Sequence, residues 1–358
     1  MRLLIQSHVP SAVFNRTMRI VIIGQFGLES LGRHIAETFS KMGHEVGRCD
    51  PLVDVSLGWF DVPALPAFAK KIRRFAVAEV LARESYAKSL VRRLKTIVGG
   101  GKCDLILATH DFLSPLALHM LRREFSAKLV LWFPDHVARL GKSFMLSGLY
   151  DFIFFKDPFL VDRFRRELGL SGTHYLPECC NAEKHTINNL LDVAETRDLG
   201  TAGNIHPARA AVLQRLVSEG HRVTVWGPPV SAWMADRLQN IESLPFVGDH
   251  EKVRAFRSCK IVLNTTYPAE IDGTNVRTFE AAAAGAFQLV NDRSALAELF
   301  DTEKEIIAYR SLDDLVDKVK YYLPRDNERR EIAERAQKRA LAEHTYEKRL
   351  TTILGMLD

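Results

Sequence analysis

One local pattern occurs twice in the chain and constrains its fold most strongly: a short apolar segment, a loop with glycine, and a helix that leads to another short apolar segment. The first copy runs from 20–23 through Gly24–Gly27 into a helix at 30–43. The second begins at 199–202 and repeats the same order through 203–220. A helix that separates two short β segments in this way predicts a parallel sheet with helices on both faces.

Further apolar segments extend both halves of the chain. Those predicted to be strands are 105–108, 129–132 and 152–155 in the first half, and 261–264, 288–290 and 306–309 in the second. A length of 358 residues suits two domains better than one core. The sequence therefore predicts an α/β protein with two Rossmann-like, doubly wound parallel-sheet domains that face a cleft. Ligands of such domains bind at the carboxyl ends of the strands, so we expect a site there.

The domain boundaries follow from the same pattern. We expect an N-terminal extension at 1–17, because Met18 directly precedes the first apolar strand. A polar, irregular stretch separates the two copies of the pattern and is interpreted as a linker. The predicted order is a first domain at 18–178, the linker at 179–198, a second domain at 199–340, and a C-terminal helix at 341–358 that returns to the first domain.

Composition excludes several classes of protein. The net charge of +5 is too small for this length to indicate a nucleic-acid binder. No apolar run approaches the roughly 18 residues of a transmembrane helix, and the N-terminal apolar segment is too short for a signal peptide. The five cysteines contain no C-x-x-C pair, so neither a zinc site nor a disulfide framework is predicted. We expect a cytoplasmic protein with reduced cysteines.

A basic segment at 69–95 allows two interpretations. Its apolar side chains recur at helical spacing among lysines and arginines. Such a helix can lie on an anionic membrane, and peripheral contact at the inner face of the membrane would bring the protein to a lipid-linked acceptor. The simpler interpretation is a surface helix packed on its own domain.

The segment 269–292 combines a polar loop, a helix of small residues, a glycine and a short strand. Four alanines at 281–284 allow the helix backbone to approach its neighbours closely, and Gly285 is suited to end it. The polar residues precede the helix, where its first N–H groups are exposed. A single carboxylate, Glu280, lies among the small side chains.

The spacing Asp272-x7-Glu280 resembles the Glu-x7-Glu element of the retaining GT-B glycosyltransferases. The wider sequence is similar to the CgeB-like (spore maturation protein) glycosyltransferase family. The segments that carry this resemblance are 129–136, 175–177, 273–292 and 321–349. The resemblance implies a GT-B fold and transfer of a sugar from a nucleotide-diphosphate sugar, UDP- or GDP-linked, to a glycan, lipid-linked or other polysaccharide-precursor acceptor. It also implies retention of the anomeric configuration.

In the second domain, the resemblance implies that Glu280 binds the ribose hydroxyls of the donor, as an ionised carboxylate can. The alternative is an ion pair with Arg277, one turn back on the same helix. Free N–H groups before the helix form an anion site suited to a diphosphate. The residues of this loop are Gly273, Thr274, Asn275 and Val276, with Arg277 as an added cation or a solvent-facing side chain.

Three further residues are expected to border the donor. Gly203 and Asn204 follow the first strand of the second domain, and Arg209 lies one turn into the next helix. Asp272 occupies the position where the resemblance implies contact with the donor sugar. Its side chain is shorter than the glutamate of the family, so a turn or cap role is the alternative.

Two Asp/His pairs in the first domain lie at predicted strand ends and are the acid–base candidates. They are His110 with Asp111, and Asp135 with His136. Asp135 is preferred, because the family segment carries an aspartate there. The alternative is a structural hydrogen-bonding role for these side chains.

No D-x-D carboxylate pair is present, so we expect no metal, and no cofactor apart from the donor substrate. Amides and arginines can balance the diphosphate charge instead. Two other functions stay open at this point. They are a nucleotide-sugar epimerase of the same fold and a non-catalytic protein that binds a nucleotide sugar or assembles surface structures.

Overall fold

A computed structural model describes residues 16–53, 55, 76–136, 142–187, 193–230 and 232–357. The chain divides into two compact units. The first draws on Met1–Lys156, Leu160–Leu176 and Glu347–Asp358, and the second on Asp157–Phe159 and Pro177–Tyr346. Most of the predicted N-terminal extension, and residues 69–75 of the basic segment, lie outside the described residues.

The first unit is built on a parallel sheet of six strands. They are β1 (Arg19–Ile23), β2 (Glu45–Cys49), β3 (Leu105–Thr109), β4 (Lys128–Phe133), β5 (Phe152–Phe155) and β6 (Thr173–Tyr175). Their order in the sheet is β2-β1-β3-β4-β5-β6. The central strands are buried on both faces, which explains their continuous apolar sequences.

Helices cover this sheet. They are α1 (Leu31–Lys41), α2 (Glu84–Val98), α3 (Pro115–Glu124) and α4 (Pro158–Leu168), with a 3₁₀ turn at Phe144–Ser147. Serine side chains cap α1 and α3, and Gly99 ends α2 with a φ of +63°. The apolar face of α2 packs in the core of its unit, as the simpler interpretation of the basic segment expects.

The second unit repeats the design with another parallel sheet of six strands. They are β7 (Arg197–Ala202), β8 (Val223–Trp226), β9 (Ile241–Leu244), β10 (Cys259–Asn264), β11 (Gln288–Asn291) and β12 (Ile307–Tyr309). Their order is β12-β11-β10-β7-β8-β9. The chain builds outward from β7 to β9 and then returns to the other side of β7 with β10. This reversal is a topological switch point, the place where open α/β sheets bind ligands.

The helices of the second unit follow the same alternation. They are α5 (Pro207–Ser218), α6 (Ala232–Ala235), α7 (Asp249–Arg257), α8 (Val276–Ala283), α9 (Leu296–Leu299), α10 (Leu312–Tyr322) and α11 (Asp326–Glu343). The last helix, α12 (Tyr346–Gly355), belongs to the first unit from Glu347 onward. The α/β fold with two parallel sheets confirms the fold class predicted from the sequence. Two edge strands, β6 and β9, are additions to that prediction.

The alanines of α8 pack against neighbours on both sides. Ala281 and Ala284 share a cluster with Val253 and Phe256 of α7. The other two alanines, at 282 and 283, share a cluster with small residues of α11. Small side chains thus bring two helices close to α8, which larger apolar residues would prevent.

All five cysteines are buried. Burial raises the pKa of Cys103 to about 11 and that of Cys259 to about 12. Within the described ranges, no helix has the length and apolarity that crossing a membrane requires.

Candidate functional site

The switch point of the second unit collects most of the residues predicted to bind the donor. Gly203 follows β7 directly, and Thr265 follows β10, the neighbouring strand across the reversal. Helix α5 begins after the first of these loops, and α8 follows β10. The parallel strands deliver all of these segments to one edge of the sheet.

Gly203 lies directly against the guanidinium of Arg277. Its N–H donates to the carbonyl of Trp226 at 2.7 Å, and its φ is +107°. A Cβ at this position would lie 2.6 Å from Nη2 of Arg277. The backbone conformation therefore favours glycine here, and a side chain at this residue would displace the guanidinium of Arg277.

Arg209 is buried in the first turn of α5. His206 caps this helix by accepting the N–H of Arg209 at its Nδ1 atom, at 3.2 Å. The guanidinium donates to the carbonyls of Asn204 and Thr265, the latter at 3.1 Å. Only 5% of the residue is exposed. Burial and the charge of Arg277 lower the pKa of Arg209 well below its usual value.

Arg277 reaches the same place from the first turn of α8. Its Nε donates to the carbonyl of Ala202 at 2.7 Å, and its Nη1 donates to Oδ1 of Asn264 at 3.2 Å. Desolvation lowers the pKa of Arg277, whereas the charge of Glu280 acts in the opposite direction.

Both guanidinium groups are held by neutral acceptors. Among the described residues, no carboxylate oxygen lies within 4.0 Å of the guanidinium of Arg209 or Arg277. Two adjacent positive charges without an ion-pair partner are unfavourable in a partly buried place. An anion bound between them would relieve this repulsion and accept charge-assisted hydrogen bonds.

A polar network fixes the loop before α8. Oδ1 of Asn275 caps the helix by accepting the N–H of Thr278 at 3.3 Å. Asn264, fully buried at the end of β10, accepts from Nδ2 of Asn275 at 2.9 Å and donates to Oγ1 of Thr278 at 2.9 Å. Gly273 and Thr274 are buried beside this network, and Val276 begins the helix. The predicted anion loop is thus held rigidly at the switch point.

Asp272 is placed through its backbone. Oδ2 of Asp157 accepts the N–H groups of Ile271 and Asp272, at 2.8 and 3.1 Å. The carbonyl of Asp272 accepts the N–H of Ala295 at 3.2 Å. Asp157 belongs to the second unit although it lies far away in sequence. It therefore orients the loop that carries Asp272.

Glu280 is buried, with 7% of the residue exposed, and its ion-pair partner is Lys252 of α7. The two atoms Lys252 Nζ and Glu280 Oε1 are 2.9 Å apart. Nε2 of His185 lies 3.8 Å from the same oxygen. The alternative prediction, an ion pair of Glu280 with Arg277, is wrong, because Glu280 turns toward α7 instead.

The acid–base candidates of the first unit have different surroundings. Nε2 of His110 lies 3.8 Å from Oδ2 of Asp135, and His110 has a φ of +94°. Asp111 instead accepts the N–H groups of Phe144 and Met145, at 2.9 and 2.7 Å, and so caps the 3₁₀ turn. Desolvation raises the pKa of Asp111 to about 6. His136 is buried.

Sequence reasoning missed several residues of this arrangement. Asn264 is the last residue of an apolar strand. An amide side chain at the end of such a strand is a local signal that could have identified it. Lys252, Asp157 and Thr265 carry no local signal, because their partners are distant in sequence.

Comparison with known proteins identifies the fold. Residues 208–355 match the model of a family described as glycosyl transferase-like. In sequence, no curated protein matches the chain. The matched segment includes Arg209, Arg277 and Glu280.

Solved structures match over nearly the whole chain. Sucrose-phosphate synthase from Thermosynechococcus elongatus gives a TM-score of 0.66 at 12% identity, with 95% of this chain and 98% of that chain covered. Anabaena HepE in complex with UDP-glucose gives 0.65 at 12% identity, with 95% and 99% covered. A glycosyltransferase from Rickettsia africae gives 0.63 at 12% identity, with 96% and 98% covered. The fold is that of the GT-B glycosyltransferases.

Proposed function

We propose that the protein is a glycosyltransferase that uses a nucleoside diphosphate sugar as donor. The observation that carries this proposal is the pair of guanidinium groups of Arg209 and Arg277 at the switch point, held by neutral acceptors only. A diphosphate bound there would accept hydrogen bonds from both guanidinium groups and add its negative charge to that of Glu270, which acts on both arginines. The glycosyl transferase-like family model, which spans both arginines, supports the same activity.

The donor is expected to be UDP- or GDP-linked. HepE, a structural neighbour, is solved with UDP-glucose. In this chain, Arg277 and Arg209 bind the diphosphate, with the start of α8 contributing N–H groups of positive potential. Glu280 accepts hydrogen bonds from the ribose, and Asp272 contacts the donor sugar. Because the arginines balance the leaving charge, we expect turnover to persist in EDTA.

The first unit supplies the acceptor side in this proposal. Asp135, with His110 beside it, accepts the proton of the acceptor hydroxyl. The acceptor oxygen forms a new bond to the anomeric carbon, the bond from that carbon to the diphosphate breaks, and the nucleoside diphosphate leaves. Retention at the anomeric carbon, a glycan or lipid-linked acceptor, the narrower CgeB-like membership and membrane contact through 69–95 stay predictions.

A panel of nucleoside diphosphates and their sugars tests the donor. Ligands of the native state raise the melting temperature, so UDP or GDP and at least one of their sugars are expected to do so. No shift with any member of the panel would contradict the proposal and favour a structural role. Sedimentation with anionic liposomes tests the membrane contact separately.

The release of nucleoside diphosphate from the best donor tests the reaction. Transfer releases it only when an acceptor is present. Interconversion of the sugar without an acceptor would indicate an epimerase instead. Binding without either reaction, over a broad set of acceptors, would indicate a non-catalytic nucleotide-sugar-binding protein.

A further inference from the structure

A buried ion pair joins α7 to α8 beside the arginine pair. The side chains of Lys252 and Glu280 are 10% and 8% exposed, and their atoms Nζ and Oε1 are 2.9 Å apart. Removing two charges from water costs several kcal/mol, so a buried pair of this kind is weak evidence for a role in stability alone. A role in placing the carboxylate explains the pair better.

The contact depends on the small residues of α8. Ala281 and Ala284 pack in one cluster with Val253 and Phe256 of α7. These close contacts bring Lys252, on the same helix, within reach of Glu280. The small side chains of α8 therefore allow the carboxylate of Glu280 to contact Lys252.

The two carboxylate oxygens of Glu280 differ in their surroundings. Oε1 contacts Lys252, and Nε2 of His185 lies 3.8 Å away. Oε2 accepts no hydrogen bond from any residue that the structure describes. With one oxygen fixed, the plane of the carboxylate is set and the other oxygen is left as an acceptor.

Lys252 also competes with Arg277 for the same carboxylate. Arg277 lies one turn from Glu280 on α8, and the charge of Glu280 acts on it. Because Lys252 holds Oε1, Glu280 does not pair with Arg277, whose guanidinium stays with neutral acceptors. The lysine thus keeps the acceptor for hydroxyl groups separate from the cation for the diphosphate.

We infer that Lys252 is a positioning residue that fixes Glu280 for a ribose diol and so sets a preference for ribonucleotides over deoxyribonucleotides. This inference rests on the proposed function, because it assigns the ribose of the donor to Glu280. Lys252 acts through Glu280 and need not touch the nucleotide.

The test measures Kd for UDP, 2′-deoxy-UDP and 3′-deoxy-UDP by calorimetry. The wild-type chain is expected to prefer UDP over at least one deoxy form by about tenfold, the worth of one charge-assisted hydrogen bond. Lys252→Met is expected to reduce this preference to about twofold or less, since Glu280 then turns toward Arg277. A loss of stability alone would not change the ratio of affinities for the three nucleotides.

Lys260→Met is the matched control. Lys260 also pairs with a carboxylate of the second unit, Asp198, at 3.1 Å, but both side chains are about a third or more exposed. The preference of the Lys260→Met variant for UDP over the deoxy forms is expected to equal that of the wild type. If Lys252→Met does not fold, Lys252→Gln retains a donor without the charge and is expected to reduce the preference at least about threefold.

The possible failures are distinguishable. An unchanged preference in the Lys252 variant that folds overturns this inference and leaves the proposed function intact. If the wild-type chain binds UDP and its deoxy forms equally well, the inference is also overturned and the proposed function is left intact. If neither UDP nor GDP binds the wild-type chain, the proposed function and this inference fail together.

Discussion

Gly203 and Arg277 fit each other so closely that a Cβ on residue 203 would lie 2.6 Å from Nη2 of Arg277. The same Cβ would lie 3.7 Å from Nη1 of Arg209. The second distance is an ordinary van der Waals contact, so the position of the Arg277 guanidinium, and not that of Arg209, depends on the absence of a side chain at residue 203. An effect on anion binding can be separated from an effect on folding at this position.

Gly203→Ala is expected to weaken UDP binding by at least about tenfold, because Arg277 must move. Gly220→Ala is the matched control, since Gly220 has a φ of +87° and a Cβ added there would meet no atom within 4 Å. Both variants should lose about 1–2 kcal/mol of unfolding free energy from the strained backbone. Calorimetry with UDP and urea unfolding measure the two effects. Equal UDP affinity in the two variants would contradict the account.

Arg209→Met is expected to weaken UDP binding by roughly 10- to 150-fold, the worth of charge-assisted hydrogen bonds to a phosphate. UMP, which lacks the second phosphate, should be affected less. The unfolding free energy should not fall by more than about 1 kcal/mol, because the buried charge has no ion-pair partner. Arg215→Met on the same helix, where Arg215 pairs with Asp313 at 2.8 Å on the surface, is the control and should leave UDP affinity unchanged.

Asp135→Asn is expected to lower kcat roughly 10²- to 10⁴-fold, the usual contribution of a positioned general base. The affinity for UDP should stay the same, because the arginine pair lies in the second unit. Steady-state kinetics and calorimetry on the same preparation measure both. A near-normal kcat would transfer the role to His110 or Asp111, and a loss of UDP binding would mean that the nucleotide site is misassigned.

The raised pKa of Asp111 is expected to make the stability of the first unit depend on pH. Its pKa of about 6 in the folded chain lies above the ordinary value of 3.8, so the folded state retains the proton more strongly. Its contribution to stability is full below the ordinary value and is lost as the pH rises through about 6. Asn cannot ionise, so the stability of Asp111→Asn relative to wild type should increase from about pH 4.5 to about pH 7.5. Urea unfolding of both proteins at the two pH values measures this. A difference in unfolding free energy that does not change with pH would contradict the prediction.

Ala281→Leu tests the packing between α7 and α8. Added volume in this cluster should cost about 1–3 kcal/mol of unfolding free energy and move Lys252 away from Glu280. We therefore expect a lower preference for UDP over its deoxy forms as well. Ala235→Leu, at an exposed position of α6, should change neither quantity. If Ala281→Leu is destabilised but keeps the wild-type preference for UDP, the packing between α7 and α8 does not position the carboxylate of Glu280.

The sheets were predictable because their central strands are buried on both faces and form continuous apolar runs. The edge strand β12 was predicted as well, at 306–309, but the edge strands β6 and β9 were not. β6 has three residues, and β9 is partly exposed along its length, so neither forms an apolar run. Edge strands expose polar side chains, and local hydrophobicity does not distinguish them from loops.

Some residues of the candidate site could also be predicted from the sequence, and others could not. The location of Arg209, Arg277 and Glu280 near one strand edge follows from the general rule for switch points. Lys252 could not be found from the sequence, since it lies in a helix rich in charged residues and looks like a surface lysine. Its burial depends on α8, whose alanines contact α7 only in the folded chain.

The burial of all five cysteines has a practical consequence for experiments in solution. Thiol reagents react with the exposed thiolate, and the raised pKa values of Cys103 and Cys259 keep those two groups protonated at neutral pH. A new cysteine at an exposed position would therefore be modified by a maleimide dye well before the native ones. Fluorescent probes can then be attached at chosen sites without first replacing any natural cysteine.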